Sequence, residues 1–112
     1  MEVQELIMEA TENSSEIFHA KVNLETAQIA WKELQRFFAS GSALNVSSGL
    51  DLVEVAYQMS QDNAVQIRQW MMAGKFGKVT DEQAAAWIEA DLQVWAVVVS
   101  PWVLVQIAHS LQ

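Results

Sequence analysis

The stretch Val94-Trp95-Ala96-Val97-Val98-Val99-Ser100-Pro101-Trp102-Val103-Leu104-Val105-Gln106-Ile107-Ala108 decides how the rest of the chain is read. Seven of its residues are β-branched valine or isoleucine at 94, 97, 98, 99, 103, 105 and 107, and side chains of that shape suit a pleated sheet better than a helix. Pro101 would also interrupt a helix, because it lacks the N–H and clashes with the preceding turn. The stretch therefore reads as two strands, or as one long strand bent at Ser100-Pro101. An apolar run with so little alternation implies burial on both faces of a sheet. At 15 residues, broken by Ser100, Pro101 and Gln106, it falls short of the roughly 18 that would suggest a membrane span.

Working backwards from this tail, Thr80-Asp81-Glu82-Gln83 has the spacing of a capping box and opens a helix with Ala84, Trp87 and Ile88 on one face. Phe76 to Val79, set between Gly74 and Thr80, reads as a short strand. Asp62 or Asn63 caps a helix whose buried side is Ala64, Ile67, Trp70 and Met71, and Gly74 ends it. Asp51-Leu52-Val53-Glu54 starts another helix, which runs to about Ser60. Ala43 to Ser47 alternates and reads as a strand, with Ser48-Gly49 turning out of it. Asn23 is a good N-cap. Leu24, Ala27, Trp31, Leu34 and Phe38 follow at spacings of three and four, which predicts one helix closed by Gly41.

The first 21 residues read as an arm. Glu2, Glu5, Glu9, Glu12 and Glu16 form an acidic stripe, and Val3, Leu6, Ile7, Ala10 and Ile17 occupy the other side, as in an amphipathic helix. The expectation is an α+β fold: a helix-rich single domain over residues 22–112 with a small β-sheet, preceded by the amphipathic N-terminal helix over residues 1–21. From Asn23 to Val99 the elements follow the order of a winged-helix domain with one extra helix inserted in the wing, and the link at Gln61-Asp62 takes the place of the turn in a helix-turn-helix.

Composition bounds the function. The 112 residues suit one domain, and 52% hydrophobic residues suffice for a core. Five tryptophans, at 31, 70, 87, 95 and 102, are read as core pegs or, where exposed, as partner contacts. The net charge of -8 disfavours both nucleic acid and an anionic membrane surface. With no cysteine, disulfides and thiolate chemistry are excluded. The acidic N-terminus is unlike a signal peptide, so the expected setting is the cytoplasm.

Chemistry-bearing residues are few. Glu16-Ile17-Phe18-His19 has the Glu-x-x-His spacing of di-iron bundles, but that site needs a second such motif and further glutamates. His109 stands at the other end of the chain. Asp51 with Glu54, and Asp81 with Glu82, fall where helix N-termini favour acids, so capping accounts for them. Gly41, Gly49, Gly74 and Gly77 are isolated and form no phosphate-cradling loop. No catalytic, cofactor-binding or metal-ligating residue is assigned. The leading expectation is a non-enzymatic interaction or assembly module acting on a protein partner or on itself as a homodimer, through an unpaired edge of the C-terminal strands. The alternatives are a winged-helix-like regulator that touches nucleic acid through Arg68, Lys75 and Lys78, and a small-molecule binder using tryptophan-lined space.

Three stretches carry a resemblance. Val22-Asn23-Leu24-Glu25-Thr26-Ala27 leading to Trp31-Lys32-Glu33-Leu34, Leu50-Asp51-Leu52-Val53-Glu54-Val55-Ala56, and the tail from Trp95 to Gln106 resemble a family of small bacterial proteins of unknown function. The resemblance covers roughly residues 22–106. It implies a bacterial, intracellular, stand-alone domain and no particular activity.

Overall fold

The computed structural model of the protein describes residues 25–108. The arm over residues 1–21, His19 and His109 lie outside the described residues. In chain order the elements are β1 (Ala27–Ala30), a 3-10 turn (Trp31–Leu34), α1 (Gln35–Ala39), β2 (Ala43–Val46), α2 (Leu52–Ser60), α3 (Ala64–Met72), β3 (Phe76–Lys78), α4 (Asp81–Glu89), β4 (Gln93–Val99) and β5 (Trp102–Ile107). This is the expected α+β class.

The tail forms a hairpin. β4 and β5 pair antiparallel from Val94↔Ile107 to Val99↔Trp102, and the Ser100-Pro101 peptide bond in the turn between them is cis. The hairpin lies inside a five-stranded mixed sheet of order β1-β4-β5-β2-β3. β1 covers the outer side of β4, and β2 runs parallel to β5 on the other side. The edge expected to need a partner is therefore filled from within the chain. Among the described residues, the free edges belong to β1 and β3, of four and three residues, and such short edges offer little backbone to another strand.

β5 is covered on both faces, so its side chains divide between two cores, whereas β4 buries Val94 and Val97 and leaves Trp95 and Val98 exposed. Leu104 points into one, with Leu44, Val46, Leu52, Val55, Ala56, Phe76 and Val97. Its neighbours Val103 and Val105 point into the other, with Trp31, Leu34, Ala43, Val79, Ala84, Trp87 and Val94. The period of two along β5 thus fills both sides of the sheet, which is why the tail is apolar almost throughout. α2 and α3 roof the first core, and the 3-10 turn, α1 and α4 roof the second. Gln106 lies between them as the one polar residue well inside β5. Its Nε2 donates to the carbonyls of Ser47 and Leu50 at 2.8 and 2.7 Å and so ties the β2–α2 loop to the sheet.

The single helix expected from Asn23 to Phe38 is corrected. Residues 27–30 form strand β1, in register Ala27↔Ala96 and Ile29↔Val94 with β4. After this strand the chain coils from Trp31 onwards, and Gly41 ends this segment at φ +77°. The helical spacing of Trp31, Leu34 and Phe38 is real. Ala27 sits at the same spacing by coincidence, and its backbone follows the exposed side of β4, whose hydrogen bonds outweigh a weak local preference.

Downstream the expected order of elements is present, with α4 as the inserted helix. The pairing departs from a winged helix: β3 pairs antiparallel with β2, and β4 lies on the far side of β5, so β3 and β4 form no ribbon. The caps fall where the sequence puts them. The Asp51 carboxylate accepts from the N–H groups of Val53 and Glu54, and the Asn63 side chain from that of Gln66. Thr80 and Gln83 form a reciprocal capping box with both bonds at 3.0 Å. Thr80→Ala is expected to lower stability by about 1 kcal/mol without changing the far-ultraviolet spectrum. Urea titrations of the two proteins check this, and coincident curves would show that the box contributes nothing.

Candidate functional site

Among the described residues, no group of three or more His, Asp or Glu could hold a metal ion, and no polar or charged side chain is buried. Catalysis generally relies on polar groups withdrawn from water, so the candidate features lie on the surface.

Several open grooves cross it, two of them lined by aromatic residues. One of about 470 Å³ runs between α1 and α4, with Phe38, Ala84, Ala85 and Ile88 as its floor and Asp81 and Glu89 on its rim. Both acids belong to α4, and Asp81 lies in its first turn, where the helix dipole favours it. The other, about 300 Å³, lies beside Trp95 and Gln106 near the start of α2. Gln106 is already committed to backbone carbonyls there. Both grooves are wide open to solvent, unlike pockets that enclose most of a small ligand.

The helix pair α2–α3 presents a different kind of surface. Gln61, Asp62 and Asn63 make the link, with Asp62 at φ +53° and the Asn63 Nδ2 donating to the Gln58 side-chain oxygen at 2.7 Å. This turn lays α3 across the edge of the sheet, where Ile67 and Trp70 reach the first core. With only those two anchors, α3 has no fully buried residue. Its other side, Val65, Arg68, Gln69 and Met72, follows the helical spacing and faces outward. Val65 is 65% exposed, Met71 53% and Met72 82%. The expected placement of Ala64 and Met71 on the buried side is thus corrected: both are exposed.

The three bases singled out from the sequence are not brought together. Arg68 is on the outer side of α3, and Lys75 is exposed just after Gly74. Lys78 lies at the far end of β3, and its Nζ is 3.7 Å from the position a Cβ on Gly41 would take. Of the tryptophans, Trp31 and Trp87 are core pegs, packed edge to face at 5.0 Å. Trp70 and Trp102 are half-buried against the first core, while Trp95 is partly exposed.

Fold and surface together define a small α+β domain with large apolar side chains exposed on α3, where Val65, Met71 and Met72 lie, and on β4, where Trp95 and Val98 lie. The chain belongs to the family described as "Protein of unknown function (DUF2288)", whose model matches residues 17–107. It is also similar to PA1075 from Pseudomonas aeruginosa, whose structure was solved in solution by NMR. The two are 42% identical, with a TM-score of 0.74 over 84% of this chain and 87% of that one. No curated protein matches the chain. Among the described residues, no helix is long and apolar enough to cross a membrane.

Proposed function

We propose that the protein is a cytoplasmic, non-enzymatic assembly module that associates with a second copy of itself through the outward face of α3. One observation carries this reading: Val65, Met71 and Met72 are exposed within about two turns of one helix. Large apolar side chains gathered on one element of a small domain mark contact surfaces, whereas scattered ones do not. Methionine suits such a surface because its flexible thioether adapts to the partner. In helix-turn-helix proteins that read DNA, the helix equivalent to α3 enters the major groove. Here its outer side sets one cation, Arg68, and one amide, Gln69, between Val65 and Met72, fewer cationic and polar groups than phosphates and base edges call for.

Light scattering after size exclusion tests the reading. The wild-type chain is expected to show a mass well above 12.5 kDa at concentrations of about 50 μM. Met72→Glu is expected to return it to the monomer without loss of fold, since the side chain is in solvent. A strict monomer at every concentration would reject self-association.

A second reading, nucleic-acid contact through Arg68, Lys75 and Lys78, has one observation in its favour. Residues 63–80 contain those three bases and no acid. A gel shift at low salt is the most permissive test of phosphate contacts, and no retardation there removes it.

A further inference from the structure

The outer side of α3 carries charge as well as apolar surface. Val65, Arg68 and Met72 are spaced three and four apart, so they share one stripe of the helix, and residues 63–80 contain no acid. A symmetric contact between two α3 helices is poorly matched, because Arg68 of each copy would face a helix with no carboxylate to receive it. The complementary surface is apolar and acidic.

The groove between α1 and α4 is such a surface. Phe38, Ala84, Ala85 and Ile88 make it apolar, and Asp81 and Glu89 are the charged residues that line it. The elements that build it, residues 31–39 and 81–91, hold five acids and two bases. Those bases are turned to other contacts: Lys32 lies 4.0 Å from Asp91, and the Arg36 guanidinium stands 4.8 Å over the Phe37 ring. Spacing agrees with charge. Asp81 and Glu89 each lie four residues from Ala85, as Arg68 does from Met72. With Met72 seated over Ala85, Arg68 therefore meets a carboxylate one turn away whichever way α3 runs along the groove. Val65, Met71, Met72 and Ile88 are four of the six large apolar side chains that the described residues expose, so this one contact would take most of them out of water.

α3 packs on the first core and the groove lies over the second, on opposite faces of the sheet. One copy cannot place its own α3 in its own groove; a second copy must supply it. We infer that the α3 face of one copy docks in the α1–α4 groove of a second, a helix-in-groove contact anchored by Met72 and oriented by Arg68 against Asp81 or Glu89. The contact is head-to-tail, so each pair leaves one α3 and one groove free, and assembly continues as an open chain or a larger ring. The inference rests on the reading of α3 as the self-association surface and adds the surface that receives it.

Mixing two variants of the full chain tests it by sedimentation velocity at about 50 μM. Met72→Glu spoils the face and keeps the groove. Ala85→Arg fills the groove, sets a cation against Arg68 and keeps the face. Each alone is expected to be monomeric, and their equimolar mixture is expected to form a one-to-one dimer of about twice 12.5 kDa, because one intact face then meets one intact groove. Wild type is expected to pass that mass as concentration rises. A mixture that stays monomeric overturns the inference, as does a wild-type mass that levels off at two copies.

The same variants separate this failure from that of the functional reading. If Ala85→Arg associates like wild type while Met72→Glu does not, α3 is the contact surface and the groove does not receive it. If Met72→Glu leaves association intact, or wild type is monomeric throughout, both fall. Charge exchange supplies a second measurement with the groove left open. Asp81→Lys with Glu89→Lys is expected to weaken association about tenfold at low salt. Adding Arg68→Glu to that chain is expected to restore it to within about threefold of wild type, and no recovery overturns the inference.

Discussion

Trp31→Ala is expected to cost about 3–5 kcal/mol of folding stability, a large part of the roughly 5–15 kcal/mol that holds an ordinary domain folded. Trp31 is fully buried at the centre of the second core. Its ring meets Trp87 edge to face at 5.0 Å and Phe38 at 6.0 Å, so it joins the 3-10 turn, α1 and α4. Its indole Nε1 donates to the Ala84 carbonyl at 3.3 Å. Truncation thus opens a cavity, removes two ring contacts and deletes a hydrogen bond between elements 53 residues apart. The urea midpoint is expected to fall by more than about 1 M with little change in slope. Trp95→Ala, on the exposed side of β4, is the control and is expected to cost about 1 kcal/mol or less. Equal midpoints for the two variants would show that burial at position 31 does not govern stability.

The contrast between these tryptophans also shows what the sequence makes legible. Local chemistry is legible: Asp51, Asn63 and Thr80 cap helices, and Gly41 and Gly74 close them with positive φ. Each of those roles depends on a few neighbouring residues. The central hairpin is legible too: β5, covered on both faces, is apolar at nearly every position, although the same apolar run predicts that β4 is sealed as well, and there Trp95 and Val98 are exposed. β1 is not. Ala27-Gln28-Ile29-Ala30 has no strand signature of its own and becomes a strand only by pairing with β4, 69 residues away at Ala27↔Ala96. The parallel pairing of β2 with β5 is hidden for the same reason, since either register would bury the same valines and leucines. The outer side of α3 shows a further limit. Arg68 stands out for its charge, but helical spacing alone puts Met71 on the buried side, because the sequence does not show that α3 sits at the edge of the sheet. There Ile67 and Trp70 alone reach the core, and the rest of the helix is left to solvent.

The centre of the sheet permits a sharper test, because an ionisable group placed there reports on its own burial. Leu104 is fully buried in β5, opposite Val97 of β4 and Leu44 of β2. Leu104→Asp is expected to be severely destabilised at pH 7, more so than by truncation alone. The substitution loses the apolar contacts of leucine, about 2–5 kcal/mol on truncation alone, and places a carboxylate where no cation or N–H donor has been arranged to receive it. Burial disfavours the charged form, so the folded-state pKa of the introduced carboxyl group lies above its unfolded value of about 3.9. The folded state then binds more protons than the unfolded one between these two values. Relative to wild type, stability must therefore rise as pH falls through that window, by up to about 1.4 kcal/mol per pH unit. Leu104→Asn has nearly the same shape and no titratable group, so its deficit is expected to stay constant with pH. Urea unfolding of the three proteins from about pH 7 to about pH 4 should show the aspartate and asparagine deficits converging as the carboxylate is neutralised. If the two deficits remain parallel, water reaches the carboxylate in the folded chain, and β5 is not the sealed centre that its two-sided valine and leucine pattern requires.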